Sequence, residues 1–127
     1  MVNEELRSSL FSLKKLSEKI SDGDIFPVDL VEACLDKIKI LNPVLNACTT
    51  VIEEEELYNQ AQIDEKEIKQ GNYLGPLHGV PFSIRDIFYA KGFRYIAGSK
   101  ILSSSIPSID LTAVDRMKKS RWHLDRY

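Results

Sequence analysis

The chain has 127 residues, and its 17 lysines and arginines against 19 aspartates and glutamates give a formal net charge of −2. At 43% hydrophobic and 28% charged it has the composition of one ordinary globular domain, which excludes disordered and collagen-like classes. The near-neutral balance argues against a dedicated nucleic-acid binder, and no apolar run approaches the roughly 20 residues that cross a bilayer.

The opening Met1-Val2-Asn3-Glu4-Glu5 is acidic and lacks the apolar stretch of a secretory signal. Leu6, Leu10, Leu13 and Ile20, with Leu16 close by, then predict a helix over about 4–20, because offsets of 3, 4 and 7 share one face. Ser21-Asp22-Gly23-Asp24 reads as a turn. A second helix is predicted from Pro27, with Asp29 and Glu32 near its positive end and Val31, Leu35, Ile38 and Leu41 as its apolar face. Asn42-Pro43 is predicted to stop it, since proline disfavours helical geometry in the residue before it.

The β-branched run within Asn46 to Ile52 predicts a short strand. A third helix follows over 53–69, with Glu53 to Glu56 as a solvated start, Lys66 and Lys69 near the end, and Gly71 as a left-handed cap. Gly75-Pro76-Leu77-His78-Gly79 is turn chemistry ahead of a buried strand, Val80 to Ile84, with Pro81 at its start. Beyond Arg85-Asp86 the chain is loop, punctuated by Gly92, Gly98 and the serines Ser103 to Ser105. Asp110 is predicted to cap a last helix, Leu111 to about Lys119.

Gly75-Pro76-Leu77-His78-Gly79-Val80-Pro81-Phe82-Ser83-Ile84-Arg85-Asp86 resembles the N-terminal landmark of the amidase signature family. The family pattern is Gly-Pro-Leu-x-Gly-(Ile/Val)-Pro, three residues, then Lys-Asp. Pro27 to Val31, Asn42-Pro43 with Asn46-Ala47, Ala97 to Lys100, and Asp110 with Thr112 to Val114 agree with it in order and spacing. The resemblance implies an α/β fold: N-terminal helices followed by the first strands of a mixed sheet, truncated, with residues 1–120 belonging to the amidase domain. It also implies amide hydrolysis by a Ser–cis-Ser–Lys triad, in which a neutral lysine draws the proton from the nucleophile through a bridging serine. No cofactor and no metal are implied, and the partner is a small-molecule amide.

Two departures concern the chemistry. The triad lysine aligns with Arg85, and a guanidinium does not deprotonate in a protein, so no proton acceptor is expected there. The signature bearing both triad serines lies further along in the family than this sequence runs. The final Arg121-Trp122-His123-Leu124-Asp125-Arg126-Tyr127 also differs from the family, which continues with small residues and an apolar strand. One codon choice for these residues reads Gly-Gly-Ile-Leu-Ile-Gly after the first base is dropped. Residues 121–127 are therefore expected to be an out-of-frame, non-family tail.

The other candidates weigh less. Asp86 is expected to accept hydrogen bonds from loop N–H groups, with an orienting role beside Arg85 also open; Gly79 and Pro81 are expected to be structural neighbours of that position. His78 has no Asp, Glu or Cys at metal spacing, so neither a ligand nor a base role is expected. No residue is placed to activate Ser103, Ser104 or Ser105. Cys34 and Cys48 fit no metal spacing and are expected to be reduced thiols, buried as small hydrophobes in a cytoplasmic protein.

The expected function is thus a fragment of an amidase-type hydrolase, inactive as this chain. The alternative is the A subunit of a glutamyl-tRNA(Gln) amidotransferase, less favoured because Ile87 stands where that branch usually has Asn. A further alternative is a non-enzymatic module docking on an intact paralogue. The return strand of the crossover from strand 80–84 is expected to be missing, leaving an open sheet edge, marginal stability and a tendency to aggregate.

Overall fold

The computed structural model describes residues 11–120 and the backbone of 123–126. Helix α1, Leu13–Ser21, begins at Ser12, whose hydroxyl accepts the Lys15 N–H at 3.3 Å. Of its residues only Ile20 is fully buried; the predicted turns bearing Leu6 and Leu10 lie outside the described residues. Helix α2, Pro27–Leu45, starts where expected, with Pro27 in its first turn and the Asp29 carboxylate accepting the Phe26 N–H at 3.2 Å.

Helix α2 does not stop at Asn42-Pro43. It runs through Pro43 to Leu45 and ends on Asn46, which is left-handed at φ 48°. Proline in the last turn forfeits only one intrahelical bond. Asn42 offsets that loss by clasping the returning chain: its Oδ1 accepts the Cys48 N–H at 2.8 Å and its Nδ2 donates to the Cys48 carbonyl at 3.0 Å.

The strand predicted over 46–52 is irregular apart from one bridged residue, Thr50. Packing overrides β propensity here. Val51 and Ile52 pack against the buried cluster of Val31 and Leu35 from α2 and Leu57 and Ala61 from α3, Glu54–Lys69. Helix α3 closes near Gly71, φ 85°, in agreement with the sequence reading.

Strand β1, Pro81–Ile84, alternates, burying Phe82 and Ile84. The loop after it leads through a short 3-10 turn, Lys100–Leu102, to helix α4, Thr112–Lys119. The expected absence of a return strand is then corrected. Strand β2, His123–Arg126, pairs with β1 in parallel, with Pro81 opposite His123 and Ile84 opposite Arg126. Such pairing needs only backbone N–H and C=O groups, so an apolar sequence is not a precondition for it.

Three buried clusters hold these elements. Ile20, Ile25, Leu30, Ala33 and Val80 join α1 and α2 to the approach to β1. Phe82, Ile84 and Ala90 pack with Val114 of α4. The third is the cluster between α2 and α3, and Ile52 touches both of the last two.

Asp110 also departs from expectation. Leu111, not Asp110, stands at the N-cap of α4. The Asp110 carboxylate instead accepts the Lys91 N–H at 2.7 Å and grips the Lys118 ammonium at 2.9 and 3.1 Å, a charge-assisted arrangement stronger than a cap. Partial burial pushes its carboxyl up, but the Lys118 and Lys91 bonds prevail and hold it below the usual 3.8. The folded value therefore lies under the unfolded one. The contribution is complete above the unfolded value and is lost as pH falls through the folded value. Urea titrations across a pH series are expected to show Asp110→Asn less stable than the parent at neutral pH, the gap closing below the usual 3.8.

Candidate functional site

The turn ahead of β1 is fixed from two sides. His78 N–H bonds to the Gly75 carbonyl at 3.0 Å and Val80 N–H to that of Leu77 at 3.3 Å. Gly79 is left-handed at φ 78°, and a Cβ there would lie 2.4 Å from Pro27 Cγ. Only glycine fits both the dihedral and the approach of α2.

The His78 side chain provides the other anchor. It is fully buried and stacks on Tyr73, with ring centroids 6.1 Å apart. Its Nδ1 accepts the Leu74 N–H at 3.2 Å, while Nε2 lies 3.4 Å from Glu67 Oε2 and 3.7 Å from Asp64 Oδ1. Asp64 is also fully buried, and its Oδ1 accepts from Gln60 at 3.3 Å. The sequence offers His78 no Asp, Glu or Cys at metal spacing, and the fold brings two carboxylates to it. Sequence spacing hid the cluster because the loop after α3 supplies the approach. A signal was present all the same: Asp64 continues the Leu57–Ala61 core stripe at the next helical turn.

Asp64, Glu67 and His78 are the described residues that come together like metal ligands, with donor atoms within 4.8 Å of one another. The proton arrangement does not suit an ion. Because Nδ1 accepts from Leu74, a neutral imidazole carries its proton on Nε2, the atom a metal would need bare. The imidazole therefore only faces the Glu67 and Asp64 carboxylates, outside hydrogen-bond geometry, while its ring packs the turn against α3.

Arg85 follows β1 directly and is exposed; among the described residues no ion pair engages its guanidinium. Asp86 is half-buried, and its Oδ1 accepts the Ile96 N–H at 3.2 Å, the loop-ordering role read from the sequence. Ser103 donates to the Lys100 carbonyl at 2.7 Å, so its hydroxyl closes a turn. Cys34 is exposed and Cys48 half-buried, against their expected burial. The helix face of α2 that faces the core is Val31 and Leu35, which leaves Cys34 outside it.

The family Amidase matches residues 29–122. The A subunit of the glutamyl-tRNA(Gln) amidotransferase of Bdellovibrio bacteriovorus is 38% identical over 109 residues, 86% of this chain and 22% of that protein. Its counterpart from Nitrosomonas europaea is 39% identical over the same length and shares. Among solved structures, one described as an amidase superposes with a TM-score of 0.79 at 28% identity, covering 91% of this chain and 26% of its own. The peptide amidase of Stenotrophomonas maltophilia, at 23% identity and a TM-score of 0.83 over 95% of this chain and 25% of its own, shares the fold.

An α/β fold with the Gly75–Gly79 turn feeding a parallel strand is thus an amidase-type fold. The chain belongs to the Amidase family. It spans about a fifth of the length of the curated relatives it matches.

Two substitutions probe the turn. Gly79→Ala is expected to lower unfolding free energy by about 2–3 kcal/mol through combined overpacking and dihedral strain. His78→Phe, which removes the acceptor of the buried Leu74 N–H and the polar edge facing two carboxylates, is expected to cost about 1–3 kcal/mol. Denaturant midpoints measure both, and Gly71→Ala, which carries the dihedral strain (φ 85°) but meets nothing within 4 Å, separates the strain of Gly79→Ala from its overpacking.

Proposed function

We propose that this chain is a fragment of an amidase-type hydrolase, a class acting on carbon–nitrogen bonds of small amides, and that it is catalytically silent by itself. The observation that carries the second half is Arg85. It occupies the landmark position of the family lysine, at the end of β1, where a proton acceptor is required. A lysine is tuned to neutrality by burial or a neighbouring cation; a guanidinium is not. Ser103, in the serine run the sequence singles out, spends its hydroxyl on a backbone carbonyl. In this reading residues 1–120 are the amidase portion, 121–127 are a tail from a shifted reading frame, and the protein is cytoplasmic.

The amidotransferase reading has one observation in its favour, the curated relatives at 38 and 39% identity. Ile87 directly after Arg85-Asp86 supports a general amidase instead. The part played within a larger assembly would, on the amidotransferase reading, be this chain's only context for activity.

The test is release of ammonia from simple aliphatic and aromatic amides by the purified chain. No rate above buffer is expected, and Arg85→Lys alone restores none. Turnover that vanishes on replacing Ser103, Ser104 or Ser105 by alanine would overturn the reading. The gene's nucleotides past codon 120 check the tail: Gly-Gly-Ile-Leu-Ile-Gly in the next frame supports it, and its absence removes it.

A further inference from the structure

A cleft of about 290 Å³ opens between α2, β1 and the irregular segment that follows α2. Cys34, Lys37 and Ile38 line it from α2, Pro81, Phe82 and Ser83 from β1, and Cys48 closes one side. Its surface is mainly apolar, and no carboxylate is among the lining residues. Lys37 is half-buried there, and among the described residues its ammonium meets no ion-pair partner. Lys39, two positions on, is by contrast held by Glu54 at 2.8 Å. The lysine on the cleft is thus the one that α2 leaves without a counter-charge.

We propose that this cleft binds a small aromatic carboxylate, Lys37 meeting the carboxylate while Ile38, Pro81 and Phe82 take the ring. Charge decides the sign of the ligand. An ammonium on an apolar wall attracts an anion, and with no acidic lining residue a cationic ligand has nothing to meet. Charge also decides the count. One ammonium matches one carboxylate, whereas a phosphate dianion would leave a charge unmatched against apolar walls.

Size and wall chemistry define the rest. Pockets for drug-sized molecules begin at about 300 Å³, so this one holds a single ring and its substituent. Phe82, only 8% exposed, gives the floor an aromatic surface, and Pro81 and Ile38 add aliphatic walls. The sulfurs of Cys34 and Cys48 are polarisable and favour contact with a ring over a bare alkyl chain. Ser83 brings a hydroxyl, a donor for a carboxylate oxygen. The frame is fixed in advance, since Asn42 holds the Cys48 backbone by both its N–H and its carbonyl. A ligand therefore meets a preformed cleft and does not have to order it.

Benzoate, benzyl alcohol and acetate, each titrated into the full chain and followed by amide NMR shifts, test this without any variant. Benzoate is expected to give saturable shifts at Lys37, Ile38, Phe82 and Ser83, with a Kd on the order of 1 mM. Benzyl alcohol lacks the charge and acetate lacks the ring, and each is expected to bind roughly five- to tenfold more weakly. Lys37→Gln, a change that keeps helix propensity at a half-buried position, is expected to bring benzoate down to the level of benzyl alcohol. Benzoate matched in affinity by benzyl alcohol or by acetate would overturn the proposal. So would the lack of a saturable response to benzoate, or shifts centred away from these four residues.

Discussion

The imidazole of His78, buried between Asp64 and Glu67, is the constraint on which the placement of β1 depends. Burying a polar group costs several kcal/mol unless it is partnered; His78 and Asp64, both fully buried, face each other with the part-exposed Glu67 alongside, and Leu74 and Gln60 bond to them. The Leu74 N–H occupies Nδ1 and so turns Nε2 toward α3. Gly79 meets Pro27 one residue later and binds the same turn to α2 by shape alone. Val80 then enters the cluster of Ile20, Ile25, Leu30 and Ala33. Three consecutive residues thus use electrostatics, steric fit and apolar burial to set where the strand begins.

This also explains what was legible beforehand. Helices α2 and α3 follow from 3.6-residue periodicity because their buried faces, Val31 and Leu35 against Leu57 and Ala61, are made by that periodicity. Pro81 at the start of β1 and Asp86 as a loop acceptor were readable for the same reason, each being a local property of backbone chemistry. What failed was decided by distant partners. Asn42-Pro43 looks like a terminator until Cys48 folds back onto Asn42, and Val51-Ile52 looks like a strand until two helices claim those side chains. Strand β2 and the acidic partners of His78 depend on residues about forty and about eleven to fourteen positions from their mates, beyond any local window.

The exposed apolar surface is concentrated at one end of α2. In solved amidases the same arrangement is about a quarter of the chain. Here Val44 is 85% exposed at the far end of α2 and Ile101 is 91% exposed in the loop after β1. Single exposed apolar residues are ordinary, but Ile40, Leu41, Val44 and Leu45 share successive turns of one helix. Helix α2 thereby changes faces along its length: its first half is amphipathic toward α3, and its second half turns apolar groups outward.

Arg85 gives the functional reading its sharpest edge, because lysine and arginine differ most where a proton must move. Burial that strips water from an ammonium makes it a base; the same burial around a delocalised guanidinium only raises the cost of a charge that stays. At Arg85 even that pressure is absent, since the residue is exposed at the end of β1 and Asp86 beside it is committed to the Ile96 N–H. The scaffold that delivers this position is intact down to the Gly79–Pro27 contact. On the proposed reading, what it delivers is a fixed cation at the position where the family landmark has lysine.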